Sequence, residues 1–261
     1  MADYSTLLLA TDPSGVAWLT LNRPEKRNAM SGQMIEDLTQ AALSLGARDT
    51  VRAVVLSGSG PDFCAGGDLD WMRAQIEADR ATRLSAARKL AIMLKTLNEM
   101  PKPLIGRVQG GAFGGGVGLI AVCDAVLAAK DSKFGLTETR LGLIPATISP
   151  YVLARIGEGA ARRMVMSARI FDAATARELG LVSDVVPQAD LDAAVQAEIL
   201  PYLSAAPKAV AAAKALVRGL GPRIDDAVID DCIRQLADIW EGSEAAHGIA
   251  AFLSKQSPPW A

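Results

Sequence analysis

Histidine occurs once in these 261 residues, cysteine three times, and aromatic side chains make up only 5% of the chain. The lone His247 lies among alanines near the C-terminal end and reads as structural; with no Ser-His-Asp order, triad hydrolysis has no support. Cys64, Cys123 and Cys232 are odd in number, far apart and without a CxxC pair, so neither a disulfide framework nor a zinc site follows. Cys64 and Cys123, in apolar strand-end contexts, read as small core residues. Strong charge is lacking too: the formal net charge is −2 and the pI near 5.6. Such a balance sets up no field that draws phosphate backbones, so no nucleic-acid partner is expected. No apolar run approaches the roughly 18 residues of a membrane helix. The opening MADYSTLLLATDPSG carries acid early and only a very short apolar run, unlike a signal peptide. The expectation is a soluble, cytoplasmic protein in a reducing compartment, with no membrane contact.

Half the residues are hydrophobic and 21% are charged, enough for one large domain or a domain with an appendage. From Leu7 to about Val186 short β-rich runs alternate with amphipathic segments. LLLAT and VAWLTLN read as strands joined by the turn DPSG. SGQMIEDLTQAALSLG reads as a helix, with Ser31 as N-cap, Met34, Ile35, Leu38, Ala42 and Leu45 on one face, and Gly46 at its end. A longer helix is predicted from Arg80 to Met100, with strands at RAVVLSGSG, KPLIGRVQG and DAVLAA. Such alternation predicts an α/β architecture with largely parallel sheets. After Val186 the chain is alanine-rich and helical, punctuated by Pro201, Pro207 and Pro222. These three or four helices read as an oligomer interface or as a lid on the core, the interface being the favoured expectation. A core over residues 1–200 and a helical oligomerisation region over 201–261 are therefore expected.

Glycine is concentrated in FCAGGDLDWM (63–72) and GGAFGGGVGL (110–119). Gly116, Gly118 and Ala121 satisfy the dinucleotide form G-x-G-x-x-A, but the helix that follows is too short and Asp131 comes too soon for the ribose. No Gly-Lys-Ser/Thr follows either cluster, so no P-loop is present. Each cluster lies where a buried strand gives way to a helix, where free N–H groups meet the positive end of a dipole. Two such groups converging would form an oxyanion hole for a thioester enolate. The alternative is that the glycines merely permit tight turns and close packing.

LNRPEKRNAM (21–30), FCAGGDLDWM, VQGGAFGGGVGL and FGLTETRLGLIP (134–145) together resemble, in order and at similar separation, the signatures of the crotonase, or enoyl-CoA hydratase/isomerase, superfamily. The resemblance covers essentially the whole chain. It implies an α/β spiral of repeated ββα units with a C-terminal helical trimerisation region, assembled as a trimer or a dimer of trimers. It implies an acyl-CoA thioester as substrate, with coenzyme A as part of it and neither a separate cofactor nor a metal. The oxyanion amides would fall on Gly67 and Gly115. Gly67, Asp68, Leu69 and Asp70 would border the thioester, the backbone at Ala65 would hold the adenine, and Lys26 would lie near the pantetheine and phosphates. Phe252 and Lys255 resemble a C-terminal Phe-x-x-Lys pair that reaches CoA, often on a neighbouring subunit; an ordinary helix end is the other reading.

The chain also departs from the pattern. A typical member holds one water between two glutamates. The second matches Glu138, whose alternative is a solvated acid at a strand end. The first falls on Gly118, which has no side chain. Three outcomes follow: double-bond isomerisation by Glu138 alone, hydration with another group supplying the missing function, or CoA binding without turnover. The surrounding wording most resembles bacterial methylglutaconyl-CoA hydratases of leucine and isoprenoid catabolism, whose substrates carry a second carboxylate. On that reading the missing side chain at Gly118 opens room for a branched acyl group, and Arg140 pairs with its carboxylate, or else is a surface arginine. Ala146 stands where a glycine that helps place the water often follows IP.

Overall fold

The computed structural model describes residues 4–261. Strands β1 (Leu7–Thr11) and β2 (Val16–Leu21) form an antiparallel hairpin, closed by the Asp12 carboxylate accepting from the Ser14 and Val16 amides at 2.8 and 3.1 Å. β3 (Ala53–Gly58), β4 (Leu104–Val108), β6 (Ala125–Ala129) and β9 (Asp184–Val186) continue from β2, each parallel to the last, in the order β1-β2-β3-β4-β6-β9. β3 and β6 are buried along their whole length, so residues 53–56 and 125–129 read as unbroken runs of Ala, Val and Leu. Alternate side chains serve two cores. Val54 and Leu56 pack with α1 (Gly32–Ala47) and α3 (Arg80–Glu99), whereas Ala53 and Val55 pack under α7 (Leu191–Ser204) through Leu191, Val195 and Ile199.

The predicted N-cap of α1 forms. The Ser31 hydroxyl accepts from the Met34 amide at 3.2 Å, and the predicted apolar face of α1 is buried, although the helix runs one residue beyond Gly46. Asp68 caps α2 (Leu69–Glu77). α7 runs through Pro201, so the expected boundary at 200/201 falls inside a helix packed on the sheet.

A smaller sheet positions the site. β5 (Gly111–Phe113) pairs parallel with β7 (Lys133–Gly135), and β7 antiparallel with β8 (Ile170–Asp172). Parallel bridges extend it through Cys64 to Ala112 and Met30 to Gly67. Chain segments thus visit the large sheet and then the small one, turn after turn, as a spiral, with α4 (Gly115–Ala121) and α5 (Ser149–Ser167) following β5 and β7. α8 (Pro207–Leu220), α9 (Asp226–Trp240) and α10 (Ser243–Leu253) complete the chain. Ile229 and Ile233 of α9 pack on Ala87 and Ala91 of α3, and Ala245 and Ile249 of α10 on Met72 and Leu143. No helix of the described residues is long and apolar enough to cross a membrane.

Candidate active site

Register decides the geometry. Cys64 pairs with Ala112 and Ala112 with Phe134, so three residues further along each segment stand Gly67, Gly115 and Thr137, followed by Glu138. Neighbouring parallel segments lie about 4.8 Å apart, which lets amides at 67 and 115 reach a single oxygen between them. The residues flanking Gly67 bond to Met30, at 2.7 Å from the Met30 amide to Gly66 and 2.9 Å from the Asp68 amide to Met30. In that parallel pattern the Gly67 N–H faces the opposite side, towards the second cluster. Gly115 is the first residue of α4 and has no intrahelical acceptor. Neither amide donates to another group among the described residues.

The two glycine clusters approach each other. A Cβ on Gly116 would lie 2.6 Å from the Cys64 carbonyl oxygen. One on Gly114, already at φ +49°, would lie 2.9 Å from Glu138 Oε1. Gly67 differs. A Cβ there would meet Met72 and Trp71 at 3.6 Å or more, ordinary packing distance with no clash.

Glu138 opens a 3₁₀ turn, Glu138–Leu141. The residue as a whole is half-buried, but its Oε2 is sealed from solvent and has no hydrogen-bond partner among the described residues. Burial pushes its carboxyl pKa up to about 7. It faces a cavity of about 610 Å³ in which, among the described lining residues, it is the one carboxyl group. Of the residues singled out from the sequence, Lys26, Ala65, Gly67, Leu69, Gly115, Arg140 and Phe252 line the same cavity. Arg140 is exposed and has no ion-pair partner among the described residues. The loop carrying Lys26 is held by the buried Asn28, whose amide donates to the carbonyls of Ser59 and Asp62 at 2.8 and 2.9 Å.

Four expected residues stand elsewhere. Asp68 is buried in a structural role: it caps α2 and takes Arg23 at 2.8 Å. Burial raises its pKa, but the bonds from Arg23 and the Trp71 and Asp70 amides outweigh this and hold the carboxyl below its ordinary value. Asp70 is exposed and pairs with Lys26 and Arg73. Lys255 is exposed beyond α10, away from the cavity lining. Gly118 requires a correction: its missing side chain opens no room. Ile148, at the start of α5, fills the place, so that a Cβ on Gly118 would lie 2.4 Å from its Cγ2. Ile148 and not Gly118 lines the cavity.

Beside Met30 and Trp71 from the first two motifs, the wall takes in Leu90, Thr147, Leu236 and Trp240, which belong to none of the four motifs. Leu236, Trp240 and Phe252 belong to the last two helices, which therefore roof their own chain's cavity.

This arrangement can be set beside known proteins. The sequence profile of the family described as enoyl-CoA hydratase/isomerase matches residues 11–261. The chain belongs to the enoyl-CoA hydratase/isomerase family. It is 34% identical over 256 residues to 2,3-dehydroadipyl-CoA hydratase of Escherichia coli, covering 96% of this chain and 97% of that protein. Among solved structures it resembles an enoyl-CoA hydratase from Shewanella pealeana, at 38% identity, TM-score 0.81, and 98% and 96% coverage of the two chains. It also resembles Pseudomonas aeruginosa AtuE, at 39% identity, TM-score 0.80, and 98% and 99% coverage. The crotonase-type spiral expected from the four motifs is thus the fold of this family member.

Proposed function

We propose that this chain is a hydratase-type lyase that adds water across the C2–C3 double bond of an α,β-unsaturated acyl-CoA, and removes it in reverse. The thioester carbonyl oxygen accepts from the Gly67 and Gly115 amides. Each such donor is worth about 3 kcal/mol to the transition state. Drawing electrons onto that oxygen makes C3 electrophilic. Ionised Glu138 takes a proton from the attacking water as oxygen bonds to C3, and then delivers a proton to C2, so that it ends unchanged. Burial suits it to both halves, since a carboxyl that titrates at about 7 gives and accepts protons with similar ease. Coenzyme A enters as part of the substrate, with Ala65 and Lys26 along its path, and no further cofactor or metal is needed.

The observation that carries this reading is the unpartnered, buried Glu138 carboxylate beside two free amides on adjacent segments of the small sheet. Glu138→Gln is expected to lower kcat by about 10²- to 10⁴-fold while acyl-CoA binding survives. Near-normal turnover would remove Glu138 from the mechanism.

A distal carboxylate on the acyl group, as in a methylglutaconyl-like substrate, is supported by Arg140, an unpaired cation on the same wall as Glu138. The E. coli relative bears the name of a hydratase for a dicarboxylic thioester. Arg140→Met should then raise KM for 3-methylglutaconyl-CoA about tenfold or more and leave crotonyl-CoA unchanged. A single carboxyl also suits moving a proton between C2 and C4. Incorporation of ¹⁸O from labelled water into product separates hydration from that isomerisation. Assembly as a homotrimer or a dimer of trimers is part of this reading, supported by large apolar side chains left exposed at Leu153, Met166 and Ile170.

A further inference from the structure

A second cavity, of about 580 Å³, shares no lining residue with the first. It lies where Asn98 near the end of α3, Tyr151 and Arg155 of α5, and Lys214 and Arg218 of α8 come together. Its charges do not balance. Among the described lining residues Asp124 is the one carboxylate, and three cations surround it. Asp124 accepts from the Leu104 amide at 2.8 Å, from Lys214 at 2.6 Å and from Arg218 at 3.4 Å.

Arg155 makes no ion pair among the described residues, although the Asp124 charge lies near enough to favour its charged form. Its Nη1 donates to the Cys123 and Asp124 carbonyls at 2.7 and 3.4 Å, and its Nε to Gly180 at 3.0 Å. Its Nη2 has no acceptor among the described residues, nor does the buried Nε of Arg218. Lys214 has three donors and two acceptors, Asp124 and the Lys102 carbonyl. Tyr151 is 2% exposed and its hydroxyl has no partner among the described residues; Glu99 lies close enough to bear on it. Burial pushes the pKa values of both Lys214 and Arg155 down, as expected where charge is under-compensated. A half-buried cation that hydrogen-bonds only to neutral carbonyls and shares one carboxylate with two other cations is costly, and an arriving anion offsets that cost. Around this head the walls are apolar: Pro103, Val210, Val217, Ile224 and the rings of Tyr151 and Tyr202.

We propose that this cavity is a second binding site, for a small amphipathic carboxylate, with the carboxylate at Arg155, Lys214 and Arg218 and its hydrocarbon tail along Val210, Val217 and Ile224. Such a ligand would tie α5 to α8 and stabilise the folded chain by mass action. It would act independently of the thioester cavity.

Octanoate is the probe, measured by calorimetry on protein whose thioester cavity is saturated with an unreactive alkyl-CoA thioether. Ala213, exposed on α8 and lining the groove, accepts Ala213→Glu without disturbing the core, and Val217→Asp is the second variant. One octanoate per chain is expected to bind wild type. Affinity should fall about tenfold or more in either variant, and for octanol in place of octanoate, with turnover unchanged. Complete displacement of octanoate by the thioether would overturn the proposal, as would equal binding by the variants or by octanol. So would absence of binding because a second copy covers the groove, seen as an oligomer that Ala213→Glu dissociates.

Discussion

At Glu138, burial and the lack of a partner on Oε2 both disfavour the charged form, and this gives the residue two opposite pH signatures. As a base it works when ionised, so kcat/KM for hydration should climb with pH to a plateau above about 7, with that limb missing in Glu138→Gln. Stability runs the other way. The folded pKa is raised from 4.5 to about 7, so the contribution is full below 4.5 and lost as pH rises through 7. Glu138→Gln should therefore melt higher than wild type at pH 8, by the equivalent of about 3 kcal/mol, and at the same temperature as wild type at pH 4. The empty position at Gly118 makes a second test. Gly118→Glu alone drives a Cβ into Ile148 and should lower Tm by several degrees; adding Ile148→Gly should restore it. Glu138 was legible in the sequence because its motif is distinctive. Ile148 was not, because nothing in the residue string says which distant side chain occupies a vacated volume.

Among the elements, the turn bearing Glu138 is seated against α10 through two glycines. A Cβ on Gly248 would lie 2.5 Å from the Leu141 carbonyl, and one on Gly142, at φ +67°, 2.5 Å from the Glu244 backbone. Both contacts are with main chain, which has no rotamer to give. Gly248→Ala should consequently lower kcat together with Tm, although residue 248 does not line the cavity; unchanged kinetics would show the turn indifferent to its seat. Strands and the cap of α1 were readable because Ser31 and the buried Val-Leu runs act locally, whereas the cap at Asp68 was not. Nor was the roofing role of α9 and α10: amphipathicity marks a face as apolar without saying what it covers, so nothing in the residue string assigns Leu236, Trp240 and Phe252 to the chain's own cavity.

For the molecule as a whole, the exposed apolar side chains of α5 and β8 bear on assembly. Met166, 69% exposed, is the extreme case. Sedimentation should give a trimer or hexamer for wild type, and Met166→Glu should shift it towards smaller species if this surface is where copies meet. Family and spiral were legible because four motifs recur in order, whereas substrate choice rests on walls gathered from across the chain. The aligned rungs at Cys64, Ala112 and Phe134 carry one more consequence. Reactive groups are assembled by counting the same few residues onward from a shared line, so the centre should tolerate many exchanges of side chain yet fail on losing or gaining a single residue in any of those short spans. Lineages of this protein would drift in spelling there while holding their spacing fixed.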